Sequence, residues 1–479
     1  MAITRTWFGS FKAIGASVAI AAAFGTFAIP HNASAETLAD ALVGAYNHSG
    51  LLDQNRALLR AADEDVATSL AALKPIVSWQ ADIQQSIGNN NSAATLGSNI
   101  DVNSATISIS IALDYQLFDF GADSARVAAA KESVLATRAG LLSVEQNVLL
   151  RAVSAFMNLR RTIETVALRE NNLRLLTEEL RAAKDRFDVG EVTRTDVALA
   201  EARLAQARSG LAAAQGDFVQ AQEEYRNAVG RKARQLSPPP PLPATANLME
   251  EARSRALRQH PDIVAAQRQV ASAELLVNAA ERDMLPTLSL RGTAFVEDNI
   301  HDDGYNNNLN FGLRATGPIY QGGRLSALAR RSAAIRDSQR ANLHVVRHNV
   351  EADLGNSFAR LMAAVASLEA SERQIIAARV AFRGIREEAS LGARTTLDVL
   401  DAEQELLDAQ AAKIAAQADQ YIAAYSVLAA MGELTAERLK LPVKLYDPAA
   451  YYKLVKEAPH LQSKQGKALD RVLKSLQKN

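Results

Sequence analysis

Gly190-Glu191-Val192-Thr193-Arg194-Thr195-Asp196-Val197 returns 202 residues later as Gly392-Ala393-Arg394-Thr395-Thr396-Leu397-Asp398-Val399. The same offset carries Gly121 onto Gly323, Glu201 onto Glu403 and Gly230 onto Gly432. Upstream the offset becomes 211, from Pro75 to Pro286, so the first copy holds extra residues between its proline and its glycine. A chain written twice must be read as two copies of one unit before any local signal is interpreted. Pro238-Pro239-Pro240-Pro241-Leu242-Pro243 lies between the copies and reads as a stiff, extended connector.

Within each copy the quoted octapeptide closes a very long helix. No proline interrupts Gly121 to Val189. Val127, Val134, Leu141 and Val148 are spaced by sevens; an 11-residue step then leads to Leu159, Val166, Leu173, Leu180 and Phe187. In the second copy Leu343 and Val350 are followed by the same 11-residue step to Leu361, then Leu368, Ile375 and Phe382. Sevens mark a left-handed coiled-coil seam, and an added four is a stutter that relaxes the supercoil. Such a helix is roughly 100 Å long at ~1.5 Å per residue, too long to fold back into a compact domain. Shorter helical stretches, 37–74 and 196–229 in the first copy, flank it. Stacked end to end, they match its length as antiparallel neighbours. Gly230 and Gly432 read as the caps that end the return helices.

Between the first short helix and the long helix the period changes from 3.6 to 2. Val77, Trp79, Ala81 and Ile83 alternate with polar residues, as do Ile107, Ile109, Ile111, Leu113 and Tyr115, and Leu309, Phe311, Leu313 and Ala315. Leu288 to Val296 alternates less cleanly. Polar stretches 88–103 and 297–307 read as the connecting loops. Strands of about ten residues with one apolar face suit an outer-membrane barrel, and they equally suit a soluble sheet with one wet face. Stoichiometry constrains the membrane reading. Four strands cannot close a barrel, since barrels begin at about eight, and an open sheet edge is forbidden in lipid. Three chains would supply twelve strands above twelve helical columns.

Composition excludes several function classes. The 479 residues carry 53 Lys+Arg against 53 Asp+Glu, which gives no electrostatic case for nucleic acid. There is no cysteine, hence no disulfide scaffold, thiolate metal site or Cys nucleophile. Aromatics are only 5% of a chain that is 48% hydrophobic, a balance suited to long helices packed over alanine. Residues 1–35 read as an export signal: Arg5 and Lys12, the apolar run Ala13 to Ile29, then Ala33-Ser34-Ala35 as the cleavage site. No glycine-rich phosphate loop, G-x-S-x-G or paired catalytic carboxylate motif is present, so neither an enzyme nor a cofactor is expected. His344 and His348 are i, i+4 on the second long helix but lack the Glu of H-E-x-x-H, so they read as surface histidines. The tail from Lys440 to Asn479 holds nine Lys/Arg against three Asp/Glu and reads as a mobile or peripheral segment.

The duplication, the string Pro318-Ile319-Tyr320-Gln321-Gly322-Gly323 at a strand-to-helix junction, and Leu391-Gly392-Ala393-Arg394-Thr395-Thr396-Leu397-Asp398-Val399-Leu400-Asp401-Ala402-Glu403 together resemble the TolC family of outer-membrane channels. The resemblance covers roughly Glu36 to Leu434, and the last string is similar to the branch serving type I protein secretion. It implies a mainly α fold with β: a homotrimer whose twelve-stranded barrel in outer-membrane lipid continues into a twelve-helix coiled-coil periplasmic barrel. It also implies a periplasmic adaptor and an inner-membrane transporter, ABC or proton-driven, as partners. The expected domains are the signal peptide 1–35 and a first repeat 36–235, with strand pair 76–116, long helix 122–189 and return helix 196–229. The linker 236–247 follows, then a second repeat 248–435 with strand pair 287–319, long helix 324–391 and return helix 397–430, and finally the tail 436–479. The chain departs from the family at Gln116, where the second copy has Pro318, at Glu191, and at Ala389, where relatives often carry tyrosine.

The quoted octapeptides also supply the candidate site. Thr193 to Asp196 and Thr395 to Asp398 both read [ST]-x-x-[DE] ahead of a helix, so a capping role accounts for either aspartate. Asp401 is different, because its counterpart is Leu199 and the hairpin does not need it. Asp398 and Asp401 share a helix face, and in a trimer they would form a ring of six carboxylates around one opening, a cation-selective gate. A solvated face is the alternative. Arg394, which matches Val192 in the other copy, would by resemblance bridge to Thr195 or Asp196 at the neighbouring tip and hold the entrance shut. By the same resemblance Val189, Gly190, Glu191, Leu391, Gly392 and Ala393 would meet the adaptor. The functional expectation is a passive exit duct for type I protein secretion, with efflux of small toxic compounds as the alternative. Rivals from other classes are a periplasmic coiled-coil structural protein and a metal-binding or hydrolytic protein using His344 and His348.

Overall fold

The computed structural model describes residues 35–90, 100–244, 249–300 and 304–476. The expected export signal therefore lies outside the described residues, apart from Ala35. The first copy runs α1 (Leu38–His48), α2 (Gly50–Ala71), β1 (Ile76–Asn90), β2 (Ile100–Phe118), α3 (Ala122–Asp188) and α4 (Arg194–Val229). The second runs α5 (Met249–Gln259), α6 (Pro261–Arg282), β3 (Thr287–Asn299), β4 (Tyr305–Thr316), α7 (Arg324–Ser390) and α8 (Thr396–Ala430). Two short helices follow, α9 (Ala450–Val455) and α10 (Lys464–Leu476).

The stretch 37–74, expected as one helix, is two. Ser49 adopts an extended backbone, ends α1 and caps α2 through a hydrogen bond from the Leu52 N–H to its Oγ at 3.3 Å. Serine followed by Gly50 favours a cap over helix continuation. The second copy breaks 211 residues later, at His260, because Pro261 forces its predecessor out of the helical region and starts α6 well. The break is a shared feature of both units.

The strands form one antiparallel sheet in the order β1-β2-β3-β4, so the two copies join through β2 and β3. The strands run longer than the expected ten residues, from 12 to 19. Part of the expected loop 88–103 is strand, with Gly88 paired to Val102 and Asn90 to Ile100. Ladder hydrogen bonds belong to the backbone, so polar strand ends can extend past the apolar band. Register aligns one apolar face across all four strands. Trp79 pairs with Ile111, Ile111 with Ala294 and Ala294 with Leu309; the next row runs Val77, Leu113, Gly292, Phe311. Gly292 explains the imperfect alternation of β3, since a Cβ there would meet the Phe311 ring at 2.9 Å. The apolar face is uncovered in the chain, with Trp79 76% exposed. The opposite face is polar and carries the Arg291–Asp114 ion pair at 2.9 Å.

Beneath the sheet α3 is the central column. It packs against α2 and α4 along its two halves, and against α6 and α8; α7 lies beyond these last two. The largest core sits where the short helices meet. There Leu149, Val153, Phe156 and Leu159 of α3 close on Leu38, Leu42, Tyr225, Val229, Tyr425 and Leu428. Burying each of these large side chains contributes about 1.5–3 kcal/mol relative to exposure. Glu36 anchors the start of the first copy: it is buried, accepts from Arg231 at 2.6 and 2.8 Å, and bridges to Leu236 of the connector. The Tyr421 hydroxyl donates to the Pro240 carbonyl at 2.9 Å and pins the proline run onto α8. The tail expected to be mobile or peripheral packs instead. Leu441, Val443 and Tyr446 pack against the cluster of Tyr46, Leu52 and Leu59, and Val455 is fully buried near Ala67 of α2.

Candidate functional site at the helical tips

Each long helix ends the same way. Gly190 and Gly392 have φ of +80° and +78°, a backbone that glycine adopts without steric cost. Their N–H groups donate to Phe187 and Ala389, and the following N–H groups, of Glu191 and Ala393, reach back to Arg186 and Glu388. This is the Schellman arrangement, which satisfies the last helical carbonyls and reverses the chain. Val189 and Leu391, the residues just before the glycines, project into solvent at 71% and 84% exposure. Glu191 and Ala393 are exposed beside them.

Both return helices then start with a full capping box. Thr193 donates its N–H and hydroxyl to Asp196 at 2.9 and 2.8 Å, and Thr395 does the same to Asp398 at the same distances. The hydrogen bonds from Thr395, with Arg394 nearby, hold Asp398 below the usual carboxylate range. One oxygen of Asp398 is thus committed to the fold. Asp401 is exposed, and Arg203 of α4 donates to it at 2.5 Å. Arg394 pairs with Glu388 of its own tip at 2.8 Å. Thr195 is exposed, and neither it nor Asp196 is a partner of Arg394 within the chain. His348 is exposed with Glu351 at 3.9 Å, and the described residues hold no cluster of three or more metal-ligating side chains.

Deeper in the tip the structure adds residues that the sequence reading missed. Glu403 is 5% exposed, and one oxygen accepts from the Asn172 side chain of α3 at 3.0 Å. Its other oxygen has no hydrogen-bond partner. Burial, reinforced by the negative charge of Glu179, pushes the carboxyl up to about 7, against the pull of Asn172 and Arg386. Glu403 lines a cavity of about 440 Å³ between α3, α4 and α8, together with Arg169, Asn172, Arg203, Gln206 and Gln404. Leu173, Leu176, Leu180, Leu204, Ala207 and Leu400 form the apolar cluster beneath it. One signal was available: Glu403 sits at i+3 between Leu400 and Leu407, inside an apolar stripe. Arg203 carried no such signal, since only the approach of α4 to α8 makes it the partner of Asp401.

The tips are hairpins capped for reversal, with charge on α8 answered by charge on α4. A family model described as outer membrane efflux protein matches residues 43–231 and 252–433. The chain belongs to this family. It is a TolC-type channel of the Gram-negative outer membrane with a periplasmic extension, a transport protein and not an enzyme. The channel is 37% identical over 450 residues to the outer membrane efflux protein BepC of Brucella suis, covering 93% of this chain and 96% of that one. It is 24% identical over 405 residues to the outer membrane protein TolC of Escherichia coli, covering 79% and 78%. Its fold matches the crystal structure of the Campylobacter jejuni CmeC outer membrane channel with a TM-score of 0.74 at 16% identity, over 89% and 90% of the two chains.

Proposed function

We propose that the channel works as a homotrimer and as the passive exit duct of a tripartite export system, gated at its periplasmic tips. One observation carries the oligomer: β1 and β4 keep unpaired outer edges, and the apolar face they bound is uncovered. Four strands with two open edges are not viable in lipid, whereas three copies joined edge to edge give a closed barrel of twelve. The uncovered apolar residues of α7 supply a matching surface in the helical column.

At the tips, Asp398 and Asp401 from three copies form the acidic ring of the gate. Arg203 compensates Asp401 within each copy, so the ring's charge is set by whether that pair is kept or broken. Arg394 is the latch. It exchanges Glu388 for Thr195 or Asp196 at a neighbouring tip, and three such contacts bias a two-state opening although each exposed pair contributes only about 0–1 kcal/mol. Val189, Gly190, Glu191, Leu391, Gly392 and Ala393 form the adaptor contact, supported by the projection of Val189 and Leu391 into solvent. The chain has no nucleotide-binding motif, so energy comes from an inner-membrane partner, of ABC or proton-driven type.

The cargo assigned here is unfolded secreted protein, on the tip string Leu391 to Glu403 that is similar to the type I secretion branch. Efflux of small toxic compounds is the second reading, favoured by the likeness to an efflux protein, BepC. Arg394→Ala combined with Asp196→Ala raises single-channel conductance in planar bilayers if the latch is real; unchanged conductance removes it. Crosslinked co-purification of an ABC transporter supports secretion, and a proton-driven pump in its place supports efflux.

A further inference from the structure

The C-terminal segment carries a concentrated run of positive charge on a short helix. In α10, Lys464, Lys467, Arg471 and Lys474 follow one another at steps of three, four and three, so they form one stripe along the helix. All four are exposed, and none has a carboxylate partner among the described residues. Lys453 and Lys456, in and just after α9, are also exposed, and neither pairs with a carboxylate among the described residues. Several exposed arginines of the helical column, by contrast, reach carboxylates on neighbouring helices, as Arg151 does to Glu224, Arg268 to Glu132 and Arg340 to Glu274. The opposite side of α10 is apolar and already occupied. Leu469 is buried with Tyr451, Val455 and Ala67, and the Tyr451 hydroxyl donates to Glu64 of α2 at 2.6 Å. The basic stripe is therefore held outward by a packed and hydrogen-bonded base.

Position gives the stripe its partner. Lys74, two residues before β1, donates its ammonium to the carbonyls of Glu457 and Ala458 in the turn between α9 and α10. The turn thus lies within one lysine side chain of the place where the exposed apolar face of the sheet begins, at Ile76 and Val77. In an outer-membrane channel with a periplasmic extension, that level is the periplasmic boundary of the bilayer. Leu454, just before the turn, and Leu461, within it, are exposed and lie beside the cations.

We propose that the α9–α10 segment is a lipid-contact element, in which Lys464, Lys467, Arg471 and Lys474 bind the phosphate groups of anionic phospholipids in the periplasm-facing leaflet. Unpaired lysines and arginines near an anionic leaflet are each attracted to it, and the attraction fades within a Debye length. A packed amphipathic helix with its cations outward presents them to headgroups without having to insert.

The test is hydrogen exchange on the full-length channel in nanodiscs of phosphatidylcholine, with and without phosphatidylglycerol. With phosphatidylglycerol, amides of 450–476 exchange roughly tenfold more slowly, and the gain is lost near 1 M salt. The combined substitution K464Q/K467Q/R471Q/K474Q abolishes the gain while the strands keep their protection. The charge-reversed set K464E/K467E/R471E/K474E inverts it, so loss of fold in either variant is recognisable from the strands and the other variant still decides. Equal exchange in the two lipids overturns the proposal. So does equal protection by inorganic phosphate in purely phosphatidylcholine discs.

Discussion

α3 and α7 are sister helices of 67 residues that share a heptad seam and its stutter from Leu141 and Leu343 onward, yet they live in different environments. α3 has 21 buried residues and α7 has five. Leu141 and Leu159 of the α3 seam are buried, whereas their counterparts Leu343 and Leu361 are half-buried; only at the intervening position is α7 the better covered, with Val350 buried and Val148 half-buried. On its outer side α7 exposes Ile335, Val345, Met362, Ile376 and Val380. Related patterning with such unequal burial means that α3 finds its neighbours within the chain while α7 leaves much of its surface uncovered. Large exposed apolar surface on a long helix marks an interaction face. The duplication therefore gave one helix that is interior to the chain and one that leaves an apolar side uncovered.

The contrast can be broken outright by charging the edge. Val345→Glu with Ile376→Glu should abolish the heat-modifiable trimer band in detergent while helix content by circular dichroism is retained. A trimer that survives would mean that α7 is not the edge between copies. A smaller effect separates the two helices inside the chain. Phe156 of α3 is fully buried, and its counterpart at the 202 offset, Phe358 of α7, is half-buried. Phe156→Ala should cost about 3–5 kcal/mol in denaturant unfolding and Phe358→Ala less than half of that. Equal costs would remove the distinction.

The smallest effect compares the two copies at the tips. Glu201 is exposed and paired with Lys184 at 2.8 Å, while its counterpart Glu403 is buried with its carboxyl raised to about 7. A carboxyl raised above its unfolded value keeps its proton in the folded state after the unfolded chain has lost its own. Stability is thus fully present below pH 4.5 and falls as pH rises to about 7. The loss is on the order of 3 kcal/mol. Glu403→Gln should flatten that slope and leave the tips more resistant to proteolysis at pH 8, whereas Glu201→Gln should leave it unchanged. An unaltered slope in Glu403→Gln would place the pH response elsewhere.

Legibility followed range. Both tips could be read locally, because a glycine in the left-handed region and a Thr-x-x-Asp box act within six residues. The heptads and alternations were legible because they are periodic. The break at Ser49 was not, since serine and glycine are tolerated inside helices and only packing selects the cap. Arg203 with Asp401 and Asn172 with Glu403 span 198 and 231 residues, and no spacing along the chain foretells such pairs.

The amino-acid order alone determined the duplication, the periods of 7 and 2, the reversals at Gly190 and Gly392 and the lack of catalytic motifs, because each is a local or repeating constraint on the backbone. Only the tertiary structure decided which of two like helices is interior, which of two like glutamates is buried and where the basic tail comes to rest. Those outcomes depend on what surrounds a residue, and two copies with the same pattern acquire different surroundings as soon as they pack side by side.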